Sequence, residues 1–89
     1  MKKKINPRKL IFDKEGLQLL AKRLKEIRAE KGISQEELAY RAEMTLSQIA
    51  RIETVKTNPT VSTIFKIVRA LEVPLSDLFN FELPPFSNE

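Results

Sequence analysis

The chain has 89 residues, of which 42% are hydrophobic and 31% charged, ordinary values for one small globular domain. It contains neither His nor Cys, so the commonest general bases, thiol nucleophiles and metal ligands are missing, and we expect neither an enzyme nor a cofactor or metal site. No apolar run is long enough to cross a bilayer and no signal peptide is recognisable, which predicts a cytoplasmic protein without membrane contact.

The net charge of +4 is unevenly distributed along the chain. Residues 1–9 carry five basic groups and no acid, whereas residues 72–89 carry four acids and no base. This polarity is compatible with a polyanionic partner at the basic end, and a solubilising Lys-rich tail is the alternative. We interpret residues 1–16 as a basic, partly flexible N-terminal extension.

The first helix is predicted over residues 17–31. The apolar stretch 10–12 precedes it, and periodicity leaves open whether this stretch is a short strand or an apolar strap. Helical spacing then begins, with Leu17, Leu20, Ala21, Leu24 and Ile27 on one face. Gly32 is a suitable C-terminal cap because glycine enters the left-handed region without penalty.

Two helix starts follow within eleven residues, in the stretches "ISQEEL" and "MTLSQI". Each has a hydroxyl residue followed three positions later by Glu or Gln, the pattern of a capping box, with flanking apolar residues placed for a hydrophobic staple. The pairs are Ser34 with Glu37 and Thr45 with Gln48. They predict short helices over residues 35–42 and 46–53.

The remaining pattern predicts two more helices. A loop over residues 54–59 ends in the breaker pair "NP", after which Thr60 caps an amphipathic helix that extends to residue 71. The segment "LSDLF" reads as a final short helix over residues 75–79, and residues 80–89 are predicted to be irregular. The fold class is therefore all-α, a compact five-helix domain over residues 17–79.

Two short helices joined by about three residues cross at a steep angle, which is the helix-turn-helix geometry. In this arrangement Ile49 and Ile52 point inward, and the exposed face of helix 46–53 carries short polar groups and an Arg suited to a DNA major groove. The outward residues are Leu46, Ser47, Ala50, Arg51 and Thr54.

Residues 17–79 resemble the Cro/phage-repressor (XRE-like) helix-turn-helix family. The motifs that carry the resemblance are "RAEKGISQEELA", then Ser47 and "IARIE" in the next helix, "NPT", and "LEVPLSDLF". Each motif is weakly specific alone, but together, in this order and spacing, they are strongly specific. The resemblance implies a repressor-like fold in which helix 46–53 is the recognition helix.

The resemblance also implies the roles of individual residues. The base-reading positions are Thr45, Leu46, Ser47 and Arg51. The positions that contact the DNA backbone are Gln35, Lys56, Thr57 and Asn58, with Gln48 as a secondary contact because its capping box gives it a local role. Arg28 and Glu53 match a structural ion pair between the first and third helices.

Elementary chemistry supports these roles to different degrees. The guanidinium of Arg51 can pair bidentately with guanine O6 and N7, whereas Ser47 bonds to almost any base and Leu46 can contact only a thymine methyl group. Each has an alternative: Arg51 as a solvated surface Arg, Leu46 as an exposed apolar residue or part of a protein contact, and Gln35 as a solvent-exposed amide.

The sequence departs from the family at two positions that commonly hold Gly. Glu43 occupies the turn between the two short helices, where a positive φ would cost about 1 kcal/mol or more. Val55 follows the recognition helix, and because a β-branched residue disfavours positive φ we expect its loop to take a different path.

These observations predict a sequence-specific regulator of transcription, a repressor that binds double-stranded DNA as a homodimer. A dimer is expected because one recognition helix reaches only a few base pairs. Two alternatives stay open: an antitoxin that binds both its operator and a toxin, and a protein-interaction module that retains the fold. The extension 1–16 lies outside the resemblance, and it would either add affinity as a basic arm or pack on the domain or on a second subunit.

Overall fold

The computed structural model describes residues 11–86 and contains five helices in that range. They are α1 (Lys14–Lys31), α2 (Gln35–Ala42), α3 (Leu46–Glu53), α4 (Val61–Leu71) and α5 (Leu75–Leu78). Residues 11–86 contain no strand, so the all-α prediction is confirmed for this part of the chain. None of the five helices is long and apolar enough to cross a membrane.

The first helix begins three residues earlier than its hydrophobic spacing predicts, at Lys14 rather than Leu17. Asp13 caps it, because its side chain accepts a hydrogen bond from the Gly16 amide at 3.0 Å. Gly16 is a poor helix former, which masks this start in the sequence, yet an added Cβ there would lie 3.2 Å from Asp13 and 3.3 Å from Leu83. The predicted boundary of the extension at residue 17 therefore falls inside α1.

Of the apolar stretch 10–12, Ile11 and Phe12 are not in a strand, and Leu10 lies outside the described residues. The flexibility expected of residues 1–10 also falls outside them. At the other end α5 stops at Leu78 rather than Phe79, and residues 80–86 contain no helix or strand.

Four helices are followed by a residue with left-handed backbone, although only one of these residues is a glycine. They are Gly32, Glu43, Val55 and Glu72, with φ of 67°, 58°, 59° and 58°. After the first three, the next amide bonds back to a carbonyl five residues earlier, for example Met44 N to Ala39 O at 2.9 Å and Lys56 N to Arg51 O at 2.8 Å. The expectation that Val55 avoids positive φ is therefore wrong: the chain closes α3 with these backbone hydrogen bonds although the residue is β-branched.

One hydrophobic core joins all five helices. Its largest fully buried side chains are Leu24, Ile27, Leu38, Ile49, Ile67, Leu71 and Leu78. Each such burial contributes about 1.5–3 kcal/mol relative to exposure, before the entropy of folding is subtracted. Within this core α3 packs against both α1 and α2, and α2 also packs against α4. The short helix α3 is therefore held from two sides.

The C-terminal segment is tied back onto α1. Arg23 Nε donates to the Asp77 carbonyl at 2.6 Å, and Phe81 packs, partly buried, against the core. Leu83 approaches Gly16 in the first turn of α1. The part of the tail that was expected to be irregular thus covers the start of the first helix.

Candidate nucleic-acid interface

The third helix divides into a buried and an exposed face, as its sequence predicts. Ile49 and Ile52 are 0% and 5% exposed, whereas Leu46 is 42% exposed and Ser47 and Arg51 are also exposed. Between Thr45 and Thr60 the single carboxylate is Glu53, which is buried, so this segment offers the cations Arg51 and Lys56 to solvent without an exposed acid. A surface of this charge suits a polyanion.

A complete capping box fixes the start of α3. Thr45 Oγ1 accepts from the Gln48 amide at 3.0 Å, and Gln48 Oε1 accepts from the Thr45 amide at 2.9 Å. The side chains of Thr45 and Gln48 therefore each use an oxygen atom to cap the helix. The exposed side chains of Leu46, Ser47 and Arg51 take no part in this cap.

The corresponding box at the start of α2 is only half formed. Ser34 Oγ accepts from the Glu37 amide at 3.0 Å, as predicted, but the Glu37 carboxylate accepts from Arg41 Nε at 2.8 Å rather than from the Ser34 backbone. The expected reciprocal bond is wrong because a charged guanidinium one turn later is a stronger partner for a carboxylate than a backbone amide.

A buried polar network joins α1, α2 and the end of α3. Arg28 donates to both carboxylate oxygens of Glu53, from Nε at 2.6 Å and from Nη2 at 2.8 Å, and its Nη1 donates to the Ile33 carbonyl at 2.9 Å. Glu53 is 4% exposed, and Gln35 Nε2 donates to its Oε1 at 2.8 Å. Hydrogen bonding to Glu53 raises the pKa of Arg28 above its ordinary value, against the opposing effect of burial.

This network determines what Gln35 can do. A side-chain amide has two N–H donors, and one of those of Gln35 is used by Glu53, so one remains for another acceptor. Gln35 stands just after the cap of α2 and is half-buried. Its orientation is therefore set by a residue of α3, a link that spans eighteen positions and has no local sequence signal.

A cleft of about 210 Å³ brings together four of the predicted contact residues, Gln48, Arg51, Thr57 and Asn58. Thr60 and Thr63 also line it, with their hydroxyls 3.0 Å apart. The sequence predicted a capping role for Thr60 and no role for Thr63. Thr60 caps α4 and Thr63 lies in its first turn. The loop after α3 therefore places the start of α4 at the edge of the cleft.

Lys56, Thr57 and Asn58 follow the left-handed Val55 and form the loop beside this cleft. Lys56 is exposed and Thr57 is half-buried. The Asn58 side chain is already engaged, because its Nδ2 donates to the Ile11 carbonyl at 2.8 Å. The structure thus places the loop beside α3. The side chain of Asn58, however, binds the N-terminal part of the described chain.

Comparison with known proteins agrees with this geometry. Residues 24–78, more than half of the chain, match the family model described as helix-turn-helix. The chain is 39% identical over 59 residues to the HTH-type transcriptional regulator PuuR of Escherichia coli (strain K12), an alignment that covers 66% of this chain and 32% of that protein. The chain therefore spans about a third of the length of this curated relative.

Solved structures of restriction-modification controller proteins share the fold. C.AhdI from Aeromonas hydrophila is 33% identical, with a TM-score of 0.68, and the match covers 71% of this chain and 96% of that one. C.Esp1396I, solved as a tetramer in complex with its natural 35 base-pair operator, is 34% identical with a TM-score of 0.68, covering 72% and 84%. With the matched segment, the helix pair and the buried network in agreement, the chain belongs to the helix-turn-helix family, in its Cro/phage-repressor (XRE-like) branch.

Proposed function

We propose that the protein is a sequence-specific regulator of transcription that binds double-stranded DNA as a dimer, with helix α3 in the major groove, and that it represses the genes whose operator it occupies. The observation that carries the proposal is the exposed face of α3, held rigidly by a buried network and free of exposed carboxylates. The operator complex of a controller protein with the same fold supports it.

Each residue of this face has a role that follows from its chemistry. Arg51 pairs with guanine O6 and N7, Leu46 contacts a thymine methyl group, and Ser47 and the hydroxyl of Thr45 bond to a neighbouring base edge. These contacts give the discrimination between sequences, at about 1–3 kcal/mol for each well-made bidentate pair.

Contacts to phosphates fix the position of α3 on the duplex. The remaining amide hydrogen of Gln35 donates to one phosphate, on the side where α2 crosses the backbone. Lys56 and Thr57, with Gln48 as a secondary donor, contact the backbone on the other side of the cleft. Glu53 does not touch DNA in this arrangement, since Arg28 neutralises it inside the protein.

The dimer would form through an exposed apolar face of α4 and α5. Val61, Phe65 and Leu75 are 66%, 45% and 42% exposed and make up this face. Arg69 lies in the last turn of α4 and Glu72 caps the end of this helix. Two copies related by a two-fold axis can therefore pair these opposite charges across the interface. The exposed apolar region around Phe79 and Leu83 is instead a groove, and two copies of a groove cannot fill each other.

Selection of bound sequences from a random duplex pool tests the proposal directly. We expect an enriched motif with two-fold symmetry whose half-sites lie about one helical turn apart. Binding that does not discriminate between the selected duplex and random duplex would contradict a regulator, and no binding at physiological salt would favour the protein-interaction module.

Replacement of Arg51 tests the assignment of the recognition helix. Arg51→Ala is expected to weaken binding to the selected duplex about 10–100-fold while random duplex is affected much less, because the variant cannot form the bidentate pair with guanine. Lys25→Ala on α1 is the matched control, since it removes an exposed positive charge that lies neither on α3 nor on the α4–α5 face. Equal losses in the two variants, or an unchanged specificity ratio for Arg51→Ala, would contradict the assignment.

A further inference from the structure

An apolar groove of about 420 Å³ lies between the start of α1 and the C-terminal segment. This volume is within the range of sites for small molecules, about 300–1,000 Å³. The groove shares only Asn58 with the cleft beside α3 and contains none of the residues of the proposed dimer face, so neither assignment explains it. The side chains that make the groove apolar are Ile11, Leu17, Leu20, Phe79, Phe81 and Leu83.

The charge of the groove has one sign. Among the described residues that line it, Asp13 is the only charged one, and no Lys or Arg of residues 11–86 forms an ion pair with it. Glu82, an exposed second acid, lies between the lining residues Phe81 and Leu83 in the chain. A cleft with apolar walls and charge of one sign attracts the opposite charge, which here is a cation.

The Asp13 carboxylate has acceptor capacity beyond its structural role. Its Oδ1 accepts from the Gly16 amide at 3.0 Å and so caps α1. Because an ionised carboxylate accepts about four hydrogen bonds over its two oxygens, the cap leaves acceptor sites for an ammonium group. The cap also fixes the side chain, so a ligand that binds it does not have to order it first.

Two phenyl rings give the groove a second preference for cations. Phe79 and Phe81 both line it, with ring centroids 6.3 Å apart and ring planes tilted by 53°. Phe79 is 45% exposed, whereas Phe81 packs, partly buried, against the core, so a ligand can reach one ring while the other is held in place. The faces of aromatic rings attract ammonium groups.

We propose that this groove is a binding site for a small organic cation, whose ammonium group lies against Asp13 and the two phenyl rings while its apolar body lies over Leu17 and Leu20. Burial of the apolar body supplies most of the affinity, and the charge discriminates against neutral and anionic molecules of the same shape. The inference does not depend on DNA binding, because the groove and the exposed face of α3 are separate surfaces.

Three probes with the same carbon chain separate the effect of charge from that of apolar burial: hexylammonium, hexanol and hexanoate. Each is titrated into the full-length protein at neutral pH, and nuclear magnetic resonance follows the backbone amide shifts. We expect hexylammonium to bind with a Kd of about 1 mM, which a ligand of this size can reach. Hexanol should bind about five-fold more weakly and hexanoate more weakly still. The shifts should concentrate in the first turn of α1 and in residues 79–83.

Asp13→Asn removes the charge without removing the cap, because Asn caps helices as well as Asp does. We expect this variant to bind hexylammonium about five-fold more weakly, while its affinity for hexanol stays the same. Glu15→Gln is the matched control, since it removes an exposed acid from the same turn of α1 but not from the groove, and it should leave both affinities unchanged.

Phe79→Leu tests the contribution of the exposed ring while it keeps an apolar side chain in the groove. The preference for hexylammonium over hexanol should fall about two- to five-fold, because the ring no longer attracts the ammonium group. Tyr40→Leu removes an exposed ring from α2, away from the groove, and should not change this preference.

Equal affinities of the wild-type protein for hexylammonium and hexanol would overturn the inference, and so would equal losses in Asp13→Asn and Glu15→Gln. Amide shifts centred outside the groove would place the cation elsewhere and would also overturn it. If none of the three probes bound, the groove would be filled by another part of the chain or by a second copy, and the inference would be wrong.

Discussion

Removal of the Glu53 carboxylate is the sharpest test of how the interface is held together. Glu53→Ala leaves Arg28 with one protein acceptor, the Ile33 carbonyl, and takes away the partner of Gln35. Breaking a buried ion pair by removing one partner typically costs about 3–5 kcal/mol. The Arg28 side chain is 17% exposed, so water reaches it in part, and we expect a cost near the lower end, about 3 kcal/mol.

Urea unfolding followed by far-ultraviolet circular dichroism measures this cost, since the chain is helical and has no Trp. A chain of this size has a free energy of unfolding of about 4–13 kcal/mol, so a loss of about 3 kcal/mol moves the midpoint well beyond error. Glu26→Ala is the matched control, because Glu26 is 47% exposed in its pair with Arg23 and such pairs contribute at most about 1 kcal/mol.

Two further variants keep the test decisive if Glu53→Ala does not fold. Glu53→Gln retains an acceptor oxygen without the charge and should lose less stability than Glu53→Ala. The double variant Arg28→Met with Glu53→Leu removes both charges and should recover most of the loss, because neither partner is then buried alone. A cost for Glu53→Ala no larger than that of Glu26→Ala would refute the reasoning.

Two other predictions concern the loop after α3 and the apolar face. Val55→Gly should raise the free energy of unfolding by about 0.5–1 kcal/mol, because it relieves left-handed strain of about 1–2 kcal/mol while it adds entropy to the unfolded chain. Val61→Gly, at a helical position, should instead lower the free energy of unfolding. If urea unfolding gave changes of the same sign for the two variants, the result would contradict the strain at residue 55. Phe65→Lys should convert a dimer to a monomer in sedimentation experiments without loss of helix, whereas Phe86→Lys in the tail should not. A dimer that survives Phe65→Lys would exclude the α4–α5 face.

Local sequence signals predicted most of the helices and the geometry of the recognition helix. The capping pair Thr45 and Gln48 forms as predicted because its atoms lie three residues apart, so few chain arrangements compete with it. The same locality explains why α2 and α3 begin where the sequence places them. Gly16 concealed the true start of α1 in the sequence. Because glycine is a poor helix former, the helix was expected to begin after it, and Asp13 then lies too early in the chain to be its cap.

What the sequence by itself determined, then, is the order and type of the elements and the face of α3 that is exposed. Tertiary structure alone decided that Gln35 is oriented by Glu53, that Asn58 holds Ile11, and that the tail returns to α1 through Arg23 and Asp77. The physical reason is the same in each case: these contacts join residues distant in sequence, and they form only when the core is assembled.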